Sequence, residues 1–447
     1  MDFRKMMQKP DSFVASPPTT YEQEYLLGFR GLLVIQSFLW VFLTVFVPVT
    51  VAQSKNTTGP LYEEVFRKVL SVLFWNEYFL YGAIIFLSAR SIAIPFIKKP
   101  SREQAAKSIF CRGLSLWFPL AIALAIVKLS FTKATSERLY DFKTRTGNNS
   151  IAVPYIMPTT LAYFNSVFNL FWTTKNFMIT SGNTAFPSQT LWLINAVYIQ
   201  SYTVYMTMII IPYTRKEWRV KGAIVFVILA WWCDSWAWYT ISGLLFADMV
   251  MTMDFKACAQ RGIPINTPCA ALKKADGSAF RLPVWIPAGL CITAGLLMQY
   301  LWVAWRPSLF SHEYLAHTGM YYTDGLNTQY TTHHIPARDD IYLILVGFFT
   351  LLETYDFLQR FFQNKFFVYL GRRSLSYFLV QSIIIYLVGT LVFRKVRRDD
   401  NSTSSAAAIA SLISCLAITV PAAEIFHRLI ELPSKVFAHK LYDFVTA

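Results

Sequence analysis

Charged side chains are scarce in this sequence. Only 15% of the 447 residues are Asp, Glu, Lys or Arg, whereas 55% are hydrophobic and 17% are aromatic. Soluble domains carry roughly 25% charged residues, so this composition excludes an ordinary soluble domain and indicates an integral membrane protein. The net charge of +15 resides largely in short loops between apolar runs, as the positive-inside rule expects, and no nucleic-acid partner is predicted.

Cysteine and histidine are also sparse. The six cysteines form no C-x-x-C pair; Cys258 and Cys269 flank a loop whose predicted side is the cytosol, where disulfides are rare. No histidine precedes His312, and the four histidines of the loop 306–340 lack a fixed metal-ligand spacing. The sequence therefore predicts no metal site. The remaining two, His427 and His439, stand beside basic residues and are expected to be solvated or at the lipid interface.

Long apolar runs dominate the rest of the chain. Ten runs are long enough to cross about 30 Å of hydrocarbon, at residues 29–51, 69–97, 109–131, 187–213, 222–238, 239–253, 283–305, 341–358, 374–393 and 405–426. The sequence predicts an all-α integral membrane protein with about ten transmembrane helices in one bundle. This domain is expected over residues 25–443, after a polar cytosolic tail over residues 1–24.

Basic residues and glycosylation sequons indicate an orientation. Three basic loops fall on one side, near residues 98–107, 215–221 and 365–373, which assigns that side and both termini to the cytosol. Three N-x-S/T sequons, at Asn56, Asn148 and Asn401, fall on the opposite side, where glycosylation occurs. The predicted location is the endoplasmic reticulum or another endomembrane.

Seven short segments carry Gly, Pro or charged residues at regular places in apolar surroundings. They are FRGLLVIQSFLW (29–40), IIFLSARSIAIP (84–95), SIFCRGLSLWFP (108–119), LWLINAVYIQS (191–201), ISGLLFAD (241–248), FVYLGRRSLSYFLVQ (367–381) and AEIFHRLIELPSKVFA (423–438). In sequence and order these segments resemble the acyltransferase 3 family of membrane acyltransferases, in its fungal form. The resemblance implies a ten-helix bundle around a cavity that takes acyl-CoA as donor from the cytosolic side. It also implies transfer of an acetyl or other acyl group to a hydroxyl of a small molecule, lipid or glycan.

The chain departs from that family at the acid–base positions. Members pair the first-helix arginine with a histidine about ten residues later. In this chain Trp40 and Val41 occupy that position. Val197 replaces an acidic residue and Gln381 replaces a second histidine. Two alternatives to acyl transfer follow. One is a repurposed membrane enzyme that performs proton chemistry, such as isomerisation or cyclisation in secondary metabolism, on a hydrophobic small molecule. The other is a pseudoenzyme that acts as a carrier or complex subunit.

Arginines and intramembrane acids are the candidate site residues. Arg30, Arg90 and Arg112 fall at one level at the ends of the first three helices. They either bind the CoA pyrophosphate through bidentate hydrogen bonds or only reflect the positive-inside rule. Arg30 is also a catalytic candidate, together with Glu77 and Asp234, because ionisable residues within a membrane usually face the bundle interior.

Two further patterns leave alternatives open. Glu353 and Asp356, three residues apart, are expected to share a helix face and to act either as acid–base groups or as ion-pair partners of arginine. The run WWCDSWAW (231–238) surrounds Asp234 with tryptophan. It is typical of an interfacial aromatic belt, or of aromatic walls around a cation that the carboxylate balances.

Overall fold

The computed structural model describes residues 24–52, 54–173, 177–233, 235–264, 281–306, 337–399 and 404–446. Predictions for the N-terminal tail, for Asp234, for the histidine-rich loop and for Asn401 lie outside these residues.

α-Helices make up almost all of the described chain. In the first half they are α1 (Glu24–Phe46), α2 (Leu61–Phe74), α3 (Glu77–Lys98), α4 (Arg102–Ser130), α5 (Lys133–Thr146), α6 (Thr160–Trp172), α7 (Ser181–Ala185), α8 (Trp192–Ile210), α9 (Lys216–Trp232), α10 (Ala237–Thr252) and α11 (Phe255–Arg261). In the second half they are α12 (Trp285–Gln299), α13 (Asp339–Thr354), α14 (Asp356–Phe362), α15 (Lys365–Arg372), α16 (Ser374–Ile384), α17 (Thr390–Asp399), α18 (Ser404–Phe426) and α19 (Leu432–Thr446).

Short irregular pieces interrupt these helices. Strand β1 (Ile263–Pro264) pairs antiparallel with β2 (Arg281–Leu282). Three π-helical segments prolong α12, α16 and α18, at Tyr300–Trp305, Ile385–Gly389 and His427–Glu431. Such π-turns occur frequently at functional sites.

Seven helical stretches are long and apolar enough to cross a membrane: Glu24–Phe46, Leu61–Lys98, Arg102–Ser130, Trp192–Tyr213, Trp285–Trp302, Ser374–Arg397 and Ser404–Thr446. The bent pair α13–α14 raises the number to eight. The prediction of a helical, multi-pass chain is thus supported, whereas the count of ten is not reached. The reason is α9 and α10, which have 17 and 16 residues and therefore rise only about 25 Å each.

Helix α13 ends in a sharp bend. Its axis makes an angle of 101° with that of α14, and Tyr355 is the residue between them. Glu353 is buried on α13, whereas Asp356 lies beyond the bend, where it is half-exposed and forms an ion pair with Lys256. The predicted shared face of Glu353 and Asp356 is therefore wrong, because the helix does not continue through both.

Glycines allow α1 and α15 to cross at very short distance. A Cβ atom on Gly31 would overlap the carbonyl oxygen of Phe367, and one on Gly371 would overlap that of Leu27. Small residues at a membrane helix crossing permit such backbone contact. The crossing fixes the first turns of α1, and with them Arg30, against the second half of the chain.

A buried polar network connects α3, α12 and α13 at the N-terminal end of α3. The Asn76 amide nitrogen donates to Gln299 Oε1 at 2.8 Å, and the Gln299 amide nitrogen donates to Asp340 Oδ2 at 2.5 Å. Arg338 Nη2 donates to the same Asp340 oxygen at 2.6 Å. Every member is buried, so this network secures the end of α3 at which Glu77 lies.

Candidate functional site

Arg30 and Arg112 converge on one turn of α3. Arg30 Nη2, from α1, donates to the carbonyl oxygen of Leu87 at 3.4 Å. Arg112 Nη2, from α4, donates to the hydroxyl oxygen of the next residue, Ser88, at 2.6 Å. The structure thus brings together two of the three predicted arginines, from two different helices. We call Arg30 and Arg112 the arginine pair.

The arginine pair is not neutralised by an ion pair of its own. Among the described residues, no carboxylate lies within salt-bridge distance of either guanidinium. Arg112 Nε is buried and unpaired. The positive charge of Arg112 repels Arg30, and the negative charge of Glu431, beyond salt-bridge distance, attracts it. Two adjacent guanidiniums repel each other unless an anion lies between them, and guanidinium groups bind phosphate oxygens in bidentate fashion. The arrangement is therefore suited to an anionic ligand.

Arg90 pairs with Glu353, which is the ion pair with an arginine that the sequence left open as one alternative for this carboxylate. Its Nη2 lies 2.5 Å from Glu353 Oε1, and the two side chains are 1% and 2% exposed. The Tyr25 hydroxyl donates to both Glu353 oxygens, at 2.9 and 2.8 Å. Arg90 therefore belongs to a buried ion pair, and the structure does not bring it to the arginine pair.

A narrow crevice adjoins the arginine pair between α3, α8 and α10. It offers no space that a water molecule could occupy. Its polar lining comprises Ser88, Gln200, Ser201 and Thr240. Gln200 Oε1 is buried without a partner, while Ser88 accepts the hydrogen bond from Arg112. As it stands, the crevice is too narrow to hold a substrate.

Sequence reasoning missed a buried histidine–glutamate pair in the π-turn His427–Glu431. Glu431 is 2% exposed and accepts from His427 Nδ1 at 2.9 Å, from Ser376 Oγ at 2.5 Å and from Lys435 Nζ at 2.7 Å. The expectation that His427 is solvated or interfacial is wrong, since it is 7% exposed. His439 is exposed, as expected. An acid four residues after a histidine in an apolar run is the sequence signal that would have revealed the pair.

The π-turn lies near the arginine pair. It packs against α4, which carries Arg112, and against α16, which carries Ser376, and the charge of Glu431 reaches Arg30. One group of polar residues therefore lies at the end of the helices where α1 begins; it comprises Arg30, Arg112, Ser376, His427 and Glu431. We call this group the charged-end cluster.

Glu77 lies at the opposite end of α3, ten residues or about 15 Å from Leu87. It is half-buried, and no described residue hydrogen-bonds to or pairs with its carboxylate. One turn further on, Tyr81 packs edge-on against Trp192 and Trp40, with ring centroids 4.8 and 6.0 Å away. Trp40 Nε1 is buried without a partner. The site around Glu77 is separate from the charged-end cluster.

The tryptophans around Asp234 divide between core and surface. Trp236 and Trp238 are 4% and 2% exposed, whereas Trp232 is 56% exposed. Trp236 packs against Trp192, with ring centroids 6.1 Å apart. The run is thus only in part a surface belt, and its second half continues the aromatic wall near Glu77.

The two sequons in the described chain differ in accessibility. Asn56 is partly exposed and its amide nitrogen donates to the carbonyl of Gly147 at 2.8 Å. Asn148 is 1% exposed, and its amide nitrogen donates to the carbonyls of Thr44 and Val45 at 2.8 and 2.9 Å. A glycan on Asn148 would displace both bonds, so the fold favours Asn56 as the acceptor.

Comparison with known proteins gave no match: no protein-family model, no curated protein and no solved structure matches this chain. Within the described residues, no group of three or more His, Cys, Asp or Glu side chains could hold a metal ion. The five cysteines in this part of the chain are free thiols. Any assignment of function therefore rests on the charged-end cluster, on the site around Glu77 and on the seven sequence segments that resemble acyltransferase 3 proteins.

Proposed function

We propose that this chain is a membrane-bound acyltransferase that transfers an acyl group from acyl-CoA to a hydroxyl of a small molecule, lipid or glycan. The arginine pair is the observation that carries the proposal. Two guanidiniums from different helices, without an ion pair of their own among the described residues, match the phosphates of a CoA donor. Arg112 Nε, buried and unpaired, supplies a hydrogen-bond donor that such a phosphate would satisfy.

The FRGL segment gains a physical explanation under this proposal. Gly31 permits the close contact of α1 with α15, while Arg30, immediately before it, reaches across to α3. The motif thus couples a packing residue to a ligand-binding residue. Its resemblance to the first helix of acyltransferase 3 proteins supports the same donor.

CoA binding to the purified protein tests the proposal. Isothermal titration in detergent or nanodiscs is expected to show binding that Arg30→Gln and Arg112→Gln each weaken about tenfold or more, because a hydrogen bond to a charged group contributes about 1.5–3 kcal/mol. Arg145→Gln is the matched control, since Arg145 is 68% exposed and pairs with Asp141 alone among the described residues. Absence of CoA binding, or variants that bind as the parent does, would reject the proposal.

A second candidate function rests on Glu77. Its carboxyl has no partner among the described residues and lies one helical turn before Tyr81, whose ring packs against those of Trp40 and Trp192. A carboxyl in an apolar pocket can act as a general acid, and aromatic faces stabilise cations. This combination suits protonation of a hydrophobic molecule followed by isomerisation or cyclisation. Loss of product in Glu77→Gln or Asp234→Asn, with the fold retained, is the result that this function predicts.

A further inference from the structure

We propose that His427 is the general base of the acyl transfer and takes the place of the histidine missing from the first helix. This inference rests on the proposed function. Glu431 is its positioning residue, and the two lie one turn apart in the π-turn His427–Glu431.

The hydrogen bonds of Glu431 define the orientation of the imidazole. Ser376 Oγ and Lys435 Nζ can only donate to this carboxylate, at 2.5 and 2.7 Å. An ionised carboxylate accepts and does not donate, so His427 Nδ1, at 2.9 Å, carries its hydrogen toward Glu431. The Nε2 lone pair is then directed away from Glu431. No described residue hydrogen-bonds to Nε2.

Ser376 is not the nucleophile in this arrangement. In a nucleophilic triad the serine hydroxyl donates to the imidazole, whereas here it donates to the carboxylate that holds the imidazole. The group therefore consists of a general base, His427, and the side chains that orient it. The hydroxyl that His427 would deprotonate must come from a substrate.

The location of His427 matches that of the donor site. The π-turn packs on the helix that carries Arg112, and the Glu431 charge reaches Arg30. An acyl-CoA whose phosphates bind the arginine pair would bring its thioester to the imidazole if its pantetheine arm folded back toward the π-turn.

The chemical step balances with these groups alone. The acceptor hydroxyl gives its proton to His427 Nε2 while its oxygen attacks the thioester carbonyl carbon. A C–O bond forms, the C–S bond breaks, and the imidazolium returns the proton to the departing thiolate. The products are an ester and the CoA thiol. Glu431 stabilises the imidazolium between the two proton transfers, as the carboxylate of a triad does.

Chemical labelling of the histidines tests this inference without knowledge of the acceptor. Diethyl pyrocarbonate modifies imidazole nitrogens, and mass spectrometry of the purified protein reports His427 and His439 separately. CoA at about ten times its Kd is expected to slow labelling of His427 about tenfold. His439 is exposed, although its Nδ1 lies 3.6 Å from Cys111 Sγ, and its labelling is expected to change much less. Equal labelling of His427 with and without bound CoA would overturn this inference and leave the proposed function standing. A protein that binds no CoA at all would refute the proposed function, and this inference with it.

Glu431→Gln tests the positioning role. Glutamine keeps an oxygen that accepts from His427 Nδ1 but removes the negative charge, which lowers the nucleophilicity of the imidazole. At an alkaline pH at which both imidazoles are neutral, labelling of His427 in the absence of CoA is therefore expected to slow while labelling of His439 does not change. Labelling of His427 at the parent rate in a folded Glu431→Gln protein would show that the carboxylate does not act on the imidazole.

Discussion

The guanidinium of Arg90 and the carboxylate of Glu353 are joined at 2.5 Å and are both almost completely buried. They connect the middle of α3 to the last turn of α13, where the chain bends by 101°. An arginine that sequence position assigns to donor binding is therefore a structural residue. In the proposed function, Arg30 and Arg112 are therefore the two arginines that would bind the donor.

Glu353→Gln is expected to lower the free energy of unfolding by about 3–5 kcal/mol, because it leaves the Arg90 charge buried without its counter-ion. Thermal unfolding in detergent measures the loss. The double variant Arg90→Met with Glu353→Leu is expected to lose less than the sum of the two single variants, since it buries no lone charge. A Glu353→Gln protein that melts with the parent would contradict a buried ion pair.

The close crossing of α1 and α15 makes a second prediction. Gly371→Ala is expected to destabilise the protein by about 1–3 kcal/mol, as overpacking generally does, because the added methyl meets the Leu27 carbonyl oxygen. Gly222→Ala is the control, since no atom lies within 4 Å of the position that its methyl would take and alanine favours the helix. Equal melting temperatures for the two variants would show that α1 and α15 do not touch.

The sequence predicts the class of this protein well because membrane helices are specified locally. Long apolar runs and basic loops each act through their immediate neighbours, and helices are present at the corresponding positions. The sequence divides residues 222–253 into two apolar runs, and the structure also has two helices there, α9 and α10. Their lengths of 17 and 16 residues are also close to those of the two predicted runs, so the shortness that lowers the count below ten is already present in the sequence.

The pairing of charged groups is not predictable in the same way. Arg90 looks identical to Arg30 and Arg112 in sequence, and only the arrangement of α13 beside α3 gives it Glu353 as a partner. The basic neighbour Arg428 suggests a surface position for His427, and Arg428 is indeed 66% exposed. The two residues lie on different faces of one turn, and the π-turn directs His427 inward.

The sequons give a third prediction. Expression in a glycosylating host is expected to yield a glycan on Asn56, while Asn148 stays unmodified because its amide nitrogen holds the carbonyls at the end of α1. Asn56→Gln should therefore abolish the endoglycosidase-sensitive band shift attributable to these two sites, and Asn148→Gln should not. A shift that survives Asn56→Gln and disappears with Asn148→Gln would contradict this local fold.

Glu77→Gln separates the two candidate functions. Glu77 lies about 15 Å along α3 from the turn that the arginine pair contacts, so the substitution is expected to leave CoA affinity unchanged. In a reconstituted pathway that yields an isomerised or cyclised product, the same variant is expected to abolish product only if proton chemistry is the activity. A fall in the CoA affinity of Glu77→Gln would show that the two sites are coupled and would contradict their separation along α3.

Transfer of radiolabel from [1-¹⁴C]acetyl-CoA is the most direct test of the central claim. Membranes that contain this chain are incubated with the labelled donor, and label in the extracted small-molecule, lipid and glycan fractions is counted. The proposal predicts label in one fraction, released by mild base as an ester would be, and its loss in the Arg30→Gln, Arg112→Gln double variant but not in Arg145→Gln. Label equal to that of membranes without the protein would contradict acyl transfer.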